Sequence, residues 1–180
     1  MNDSLKHKPN SLRGKPFIER IIPGITFQML KSDKIEIDYN PWIAYRLHRR
    51  LTVGAGWNER IGIKKKFNFT TEDRIYGPRV FFDLVIKKGF SVRTDIEKMN
   101  TNVQSLNPMI SDGNRAWVWS AFVGIKKQYQ FVKRVKGNFQ FLYNIYDDHD
   151  RSPYADKFNV RFGFEFPCRP ARHTMKKKAN

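Results

Sequence analysis

Residues 35–47 alternate without interruption. Ile35, Ile37, Tyr39, Pro41, Ile43, Tyr45 and Leu47 are apolar, and Glu36, Asp38, Asn40, Trp42, Ala44 and Arg46 between them are mostly polar. A period of two puts successive side chains on opposite faces of a strand. The pattern holds for thirteen residues, whereas ordinary strands run to about 5–6. It exceeds the roughly 9–11 residues that a tilted strand needs to cross a bilayer. Pro41 lacks a backbone N–H, so a local bulge is expected there.

The same alternation recurs along the chain. It is carried by Ile25, Phe27 and Met29; by Leu51, Val53, Ala55 and Trp57; by Tyr76, Val80, Phe82, Leu84 and Ile86; and by Phe90, Val92, Thr94 and Ile96. It continues in Trp117, Trp119, Ala121, Val123 and Ile125, then in Phe139, Phe141, Tyr143 and Ile145. It closes with Phe158, Val160, Phe162, Phe164 and Phe166. Eight strands are predicted, an even number that lets an up-and-down sheet close with both ends on one side. The predicted links His48–Arg50, Lys87–Gly89 and Lys126–Tyr129 are short, and those at 62–74, 99–114 and 147–156 are long. Short and long alternate as between the two ends of a transmembrane barrel; the short turn at Ser32–Asp33 breaks the rule. The fold expected is all-β, an up-and-down antiparallel transmembrane β-barrel of about eight strands. It spans 24–166, after a polar, basic and flexible lead-in (1–23) and before a basic tail (167–180).

Charge placement separates the functions open to such a chain. The formal charge is +17, which by itself suits a nucleic-acid binder or a surface facing anionic lipid. The polar strand face, however, holds Arg46, Arg60, Arg79, Arg93 and Arg161 against Glu36, Asp38, Asp83, Asp95, Glu97 and Glu165. That face is nearly neutral and uses Arg, whose planar fork meets carboxylates with two parallel bonds. It is expected to form an ion-pair network inside the barrel. The surplus Lys lies at the turns, in Lys64–Lys66 and in Lys176–Lys178. A neutral body with basic ends follows. The alternative, solvated faces of a soluble sheet, is harder to reconcile with so aromatic an opposite face; Phe, Tyr and Trp make up 14% of the chain.

No catalytic constellation emerges, and the chain is read as a non-enzyme. Asp147-Asp148-His149-Asp150 reads as a solvated acidic turn and not a metal site. Asp95 and Glu97 are two apart like an acid–base pair, but three arginines share their face. Ser120 and His48 are predicted inward, on different strands and near opposite ends. Gly54-Ala55-Gly56 lacks the strand–helix context of a phosphate loop; small residues there let an aromatic neighbour pack. Asn68-Phe69-Thr70 matches the glycosylation pattern by chance, and Cys168 is read as a free thiol. No cofactor, metal, nucleic acid or small-molecule substrate is expected.

Lys157-Phe158-Asn159-Val160-Arg161-Phe162-Gly163-Phe164-Glu165-Phe166 resembles the C-terminal strand by which bacterial outer-membrane barrels are recognised for assembly. The stretch from Asn40 to Asn58 is similar to hairpins in such proteins, particularly the Bacteroidetes type. The resemblance implies an outer-membrane location, lipid contact by Phe158, Val160, Phe162, Phe164 and Phe166, and the barrel-assembly machinery as a partner. It implies export, although residues 1–21 contain no apolar stretch of signal type, so the chain is expected to be a mature or C-terminal piece. Its role would be structural, adhesive or surface-exposed, without a wide pore. The alternatives are a soluble lipocalin-like barrel, whose apolar face would line a cavity, the C-terminal part of a larger outer-membrane barrel, and a basic nucleic-acid binder.

Overall fold

A computed structural model describes residues 12, 16–31, 35–63, 74–87, 89–102, 115–132, 134–147, 153–154 and 156–168. A single 3-10 turn, Phe17–Arg20, leads into eight strands: β1 (Ile21–Lys31), β2 (Ile35–Arg46), β3 (Leu51–Ile63), β4 (Tyr76–Lys87), β5 (Phe90–Asn102), β6 (Arg115–Val132), β7 (Val135–Asp147) and β8 (Phe158–Glu165). Each strand pairs antiparallel with its neighbours in sequence, and β1 pairs with β8, closing the barrel. Closure leaves no strand of the eight at a sheet edge, so backbone groups along the ladders pair strand to strand.

The start of β1 and the end of β8 share one end of the barrel with the short links 47–50, 88–89 and 133–134. The strand ends that flank 32–34, 64–75, 103–114 and 148–157 lie at the other end. The first end is called the short-turn end below, and the second the long-link end. In the β4–β5 turn, Gly89 has φ 79°, a left-handed conformation that glycine adopts without a Cβ penalty.

Several boundaries differ from the sequence-based expectation. β1 starts at Ile21 and takes in Pro23, three residues before the expected start of the barrel. Pro23 lies near the sheet margin, where its carbonyl accepts from the Phe166 N–H at 2.9 Å; β8 itself stops one residue short of Phe166. No bulge forms at Pro41: the β2–β3 ladder lapses beside Asn40 and Pro41 and resumes in the same register. Register shifts occur instead at Val85/Lys87, Ala121/Phe122 and Gln130/Val132. β5 continues to Asn102. The largest correction concerns Lys126–Tyr129, expected as a turn. These residues lie inside β6, because Lys126 finds two carboxylates in the lumen, described below.

The barrel is inside out compared with a soluble sandwich. Arg161 is 0% exposed while its neighbour Val160 is 52% exposed, and Ile43 and Phe82 are 56% and 44% exposed. Glycines let the largest lumen rings approach the wall. A Cβ on Gly54 would overlap the Phe81 ring, and one on Gly24 would overlap the Trp42 ring. Trp42 and Phe81 meet edge to face at 5.3 Å, and the Trp42 indole N–H donates to Thr26 Oγ1 at 2.9 Å.

Candidate functional site

The site is the lumen, built from alternate residues of all eight strands. A run of polar contacts crosses it from end to end. Near the long-link end, Arg60 donates to Asp38 through Nε at 2.7 Å and through Nη2 at 3.1 Å. Its Nη1 lies 3.5 Å from Glu36 and donates to the Pro153 carbonyl at 2.7 Å. That last bond ties the β7–β8 link to the barrel, and the next residue in the link, Tyr154, is buried.

Tyr154 is the plug. Its ring packs edge to face on Phe122 at 5.3 Å and receives the Arg60 guanidinium at 5.4 Å. Its hydroxyl donates to Glu97 Oε2 at 2.6 Å and accepts from Arg161 Nη2 at 3.3 Å. Burial and the Glu97 carboxylate both disfavour the phenolate, so the Tyr154 phenol is held well above its ordinary value. Below that raised value the hydroxyl stays protonated and donates to the carboxylate.

Arg161 occupies the centre. Its Nη1 reaches Glu97 at 2.6 Å and Asp95 at 3.1 Å, and its Nε donates to Gln28 at 2.7 Å. Gln28 in turn donates to Asn159. Arg93 then links Asp95, at 2.8 Å, to Asp83, at 3.2 Å, while its guanidinium sits 3.8 Å from the centroid of Phe81. Arg79 stands to one side, Nη1 3.8 Å from Glu97 and the guanidinium 5.7 Å from the Phe81 centroid. Lys126 completes the run, with Nζ 2.8 Å from Asp83 and 2.7 Å from Glu165. Glu165 also accepts from Asn138 at 3.2 Å and from Gln128.

The register explains these meetings. Arg79 stands opposite Glu97 and Asp83 opposite Arg93 on the β4–β5 ladder; Gln28 stands opposite both Asp38 and Arg161 across β1. Alternation puts each of these residues on the inner face, and the register supplies the counter-charge within reach.

Of the eleven charged residues assigned to the inner face in the sequence, Asp38, Arg60, Arg79, Asp83, Arg93, Asp95, Glu97, Arg161 and Glu165 lie in the lumen among these contacts. Glu36 is part-exposed and reaches Arg60. Arg46 is part-exposed at the short-turn end and has no ion pair among the described residues. Lys126 and Tyr154 were not foreseen: the first reads as one half of a Lys-Lys turn, and the second lies in a link without periodicity. Ser120 is buried, as expected, but His48 is exposed in the β2–β3 turn. Asp148, His149, Asp150, Asn68 and residues 169–180 of the tail lie outside the described residues, and Cys168 is a part-exposed free thiol. Among the described residues no group of His, Cys, Asp and Glu has metal-binding proximity, and no helix is long and apolar enough to cross a membrane, which says nothing of a barrel.

The outer wall is as organised as the lumen. Towards the long-link end, Tyr76 stacks on Trp57 and meets Trp117 edge to face, each at 6.0 Å, and Tyr143 meets Phe158 at 5.0 Å. Towards the short-turn end, Phe17 lies 5.1 Å from Tyr45, Tyr129 lies 5.8 Å from Phe139, and Phe131 lies 5.3 Å from Phe164. Ile43, Val80, Phe82, Ile96, Ile125, Phe141 and Val160 are exposed on the wall between these groups. Phe158, Val160, Phe162 and Phe166 are exposed too, and Phe164 is part-exposed.

No family model matches the chain, and no curated protein does. Among solved structures it is similar to the N-terminal β-barrel domain of Pseudomonas aeruginosa OprF, at 11% identity and a TM-score of 0.49, covering 82% of this chain and 96% of that one. It is also similar to Neisserial surface protein A (NspA), at 10% identity and a TM-score of 0.43, with the same two coverages.

Proposed function

We propose that this chain is an integral outer-membrane barrel whose wall spans the bilayer and whose lumen is closed by its own side chains. One observation carries the reading. The exposed surface of the strands is apolar at mid-strand and aromatic towards both ends, while the mid-strand arginines and carboxylates face inward and the outward charges Glu59, Lys98, Arg115 and Lys127 lie nearer the strand ends. A strand of 12 residues such as β4 is about 40 Å long at roughly 3.3 Å per residue. Tilted by about 40°, it rises about 30 Å, the thickness of a bilayer core. The ammonium groups of Lys98, over Trp119 at 4.9 Å, and Lys127, over Phe90 at 3.5 Å, lie on aromatic rings of the wall towards its two ends, where cations and aromatic side chains meet at a membrane interface. A lipocalin-like barrel requires the opposite orientation, with the apolar face around the cavity. A nucleic-acid binder would not leave so broad a wall of Ile, Val and Phe in water.

With Arg161 and Tyr154 across its middle, the lumen offers no wide conduit. The role then falls to the ends, as a structural or surface-exposed element whose long links face outward. Phe158–Phe166 is the segment this reading presents to the assembly machinery, and the likeness of Asn40–Asn58 to Bacteroidetes-type hairpins belongs to the same reading.

Brominated lipid tests it. Trp57, Trp117 and Trp119 are on the wall and Trp42 is in the lumen. Fluorescence of the wild-type protein in brominated vesicles should be strongly quenched. The variant W57F/W117F/W119F, in which Trp42 is the only tryptophan, should be nearly unaffected. A chain that stays monomeric in buffer without detergent, or whose wild-type emission ignores the bromines, is not a membrane barrel.

A further inference from the structure

A cavity of about 180 Å³ opens at the short-turn end of the lumen. Trp42, Ala44 and Ile22 form its apolar side, Lys126 its floor, and Arg46 and Arg49 stand at its mouth. From this arrangement we infer that the cavity is a binding site for a small oxyanion, with free phosphate as the representative ligand.

The floor and the mouth differ electrostatically. Lys126 is buried and faces both Asp83 and Glu165, yet an ammonium has three N–H donors, so one remains beyond those two contacts. Arg46 and Arg49 have no ion-pair partner among the described residues. The two carboxylates in the lining are engaged at the floor, so the field at the mouth is positive. Arg20 and Lys87 at the same end strengthen it, and a concave low-dielectric site focuses such a field. A guanidinium pair suits phosphate or carboxylate geometry, and the Thr52 and Ser91 hydroxyls in the lining can complete a donor set.

Size narrows the choice. At about 180 Å³ the space is enough for one tetrahedral oxyanion with part of its hydration shell and too small for an oligonucleotide. Position separates free phosphate from a lipid headgroup. The mouth opens from the lumen, inside the ring of strands, whereas lipid meets the outer wall. The inference rests on the folded barrel and holds whether or not the wall spans a membrane.

The test is isothermal titration of the full chain, in non-ionic detergent, with inorganic phosphate balanced by chloride at fixed ionic strength. Saturable one-site binding is expected. The double variant R46Q/R49Q should weaken it at least about tenfold, as the loss of two charge-assisted contacts requires. R50Q/R134Q removes the same charge at the same end but outside the lining, and should leave affinity within about twofold. Both variants alter exposed or part-exposed side chains, and a heat-modifiable gel shift checks that they fold. No saturation by phosphate overturns the inference, as does equal weakening in both double variants, which would assign binding to the basic end as a whole. Saturation by micelles doped with phosphatidylglycerol, but not by inorganic phosphate, also overturns it in favour of a headgroup.

Discussion

Replacing Arg161 with Met is the most direct probe of the lumen. Met fills a similar length but removes the charge that lies 2.6 Å from Glu97 and 3.1 Å from Asp95, along with the donors to Gln28 and Tyr154. Breaking a fully buried ion pair from one side costs about 3–5 kcal/mol, because the partner remains buried and uncompensated. Two neighbours soften the loss. Arg79 is 3.8 Å from Glu97, and Arg93 is 2.8 Å from Asp95. The lower end, about 3 kcal/mol, is therefore expected. The double variant R161M/E97Q removes the orphaned charge as well and should recover about 1–2 kcal/mol of that loss, a coupling in the range of contacting pairs. R161K keeps the charge without the fork and should fall between wild type and R161M. The assay is urea unfolding of barrels refolded into vesicles, followed by tryptophan fluorescence, with the gel shift of unboiled samples as a check on folding. If R161M lies within about 0.5 kcal/mol of wild type, or if the R161M and E97Q effects simply add, Arg161 does not hold the lumen together.

Y154F should cost about 1.5–3 kcal/mol near neutral pH, since the hydroxyl serves a carboxylate and a guanidinium. The phenol is raised in the folded state, so its contribution is complete below the unfolded value of about 10 and is lost as pH rises above that; in alkaline unfolding series, Y154F should flatten this leg, and an unchanged leg would mean that Tyr154 does not carry it. G54A, with its new Cβ directed at Phe81, should lower stability by about 1–3 kcal/mol through overpacking, and F81L in the same chain should restore part of it; a neutral G54A would show that the ring moves freely. Because the lumen pairs are shielded from solvent, raising salt from about 0.1 to 1 M should leave the R161M penalty unchanged, while a penalty that shrinks with salt would show that water reaches the pairs.

The strands were legible because the wall and the lumen impose opposite chemistry on successive residues. Ile43 and Ala44, or Val160 and Arg161, state their faces in one step. The lumen set was legible for the same reason, as far as membership goes. Who meets whom was not: Arg161 finds Glu97 across sixty-four positions of sequence, and only closure and register determine that. Lys126 was hidden by Lys127, since adjacent lysines resemble a turn until carboxylates from β4 and β8 are seen to converge on one of them. Tyr154 was hidden because a link carries no periodicity, and burial in a link depends on its anchors, here Arg60 and the Pro153 carbonyl. Pro41 failed as a bulge signal because the ladder can omit a pairing without slipping.

The lumen run also bears on the order of assembly. Arg161 and Glu165 are supplied by β8, the last strand, yet they serve Asp95 and Glu97 on β5 and Lys126 on β6. A seven-stranded intermediate leaves Glu97 without its nearest cation, Asp95 without one of its two, and the Lys126 ammonium without one of its two counter-ions. Such a species gains little from drying its interior, because burial there would strand charge. Insertion of β8 shuts the seam with β1 and balances the interior in the same movement, so the penalty for an incomplete barrel falls on the step that completes it.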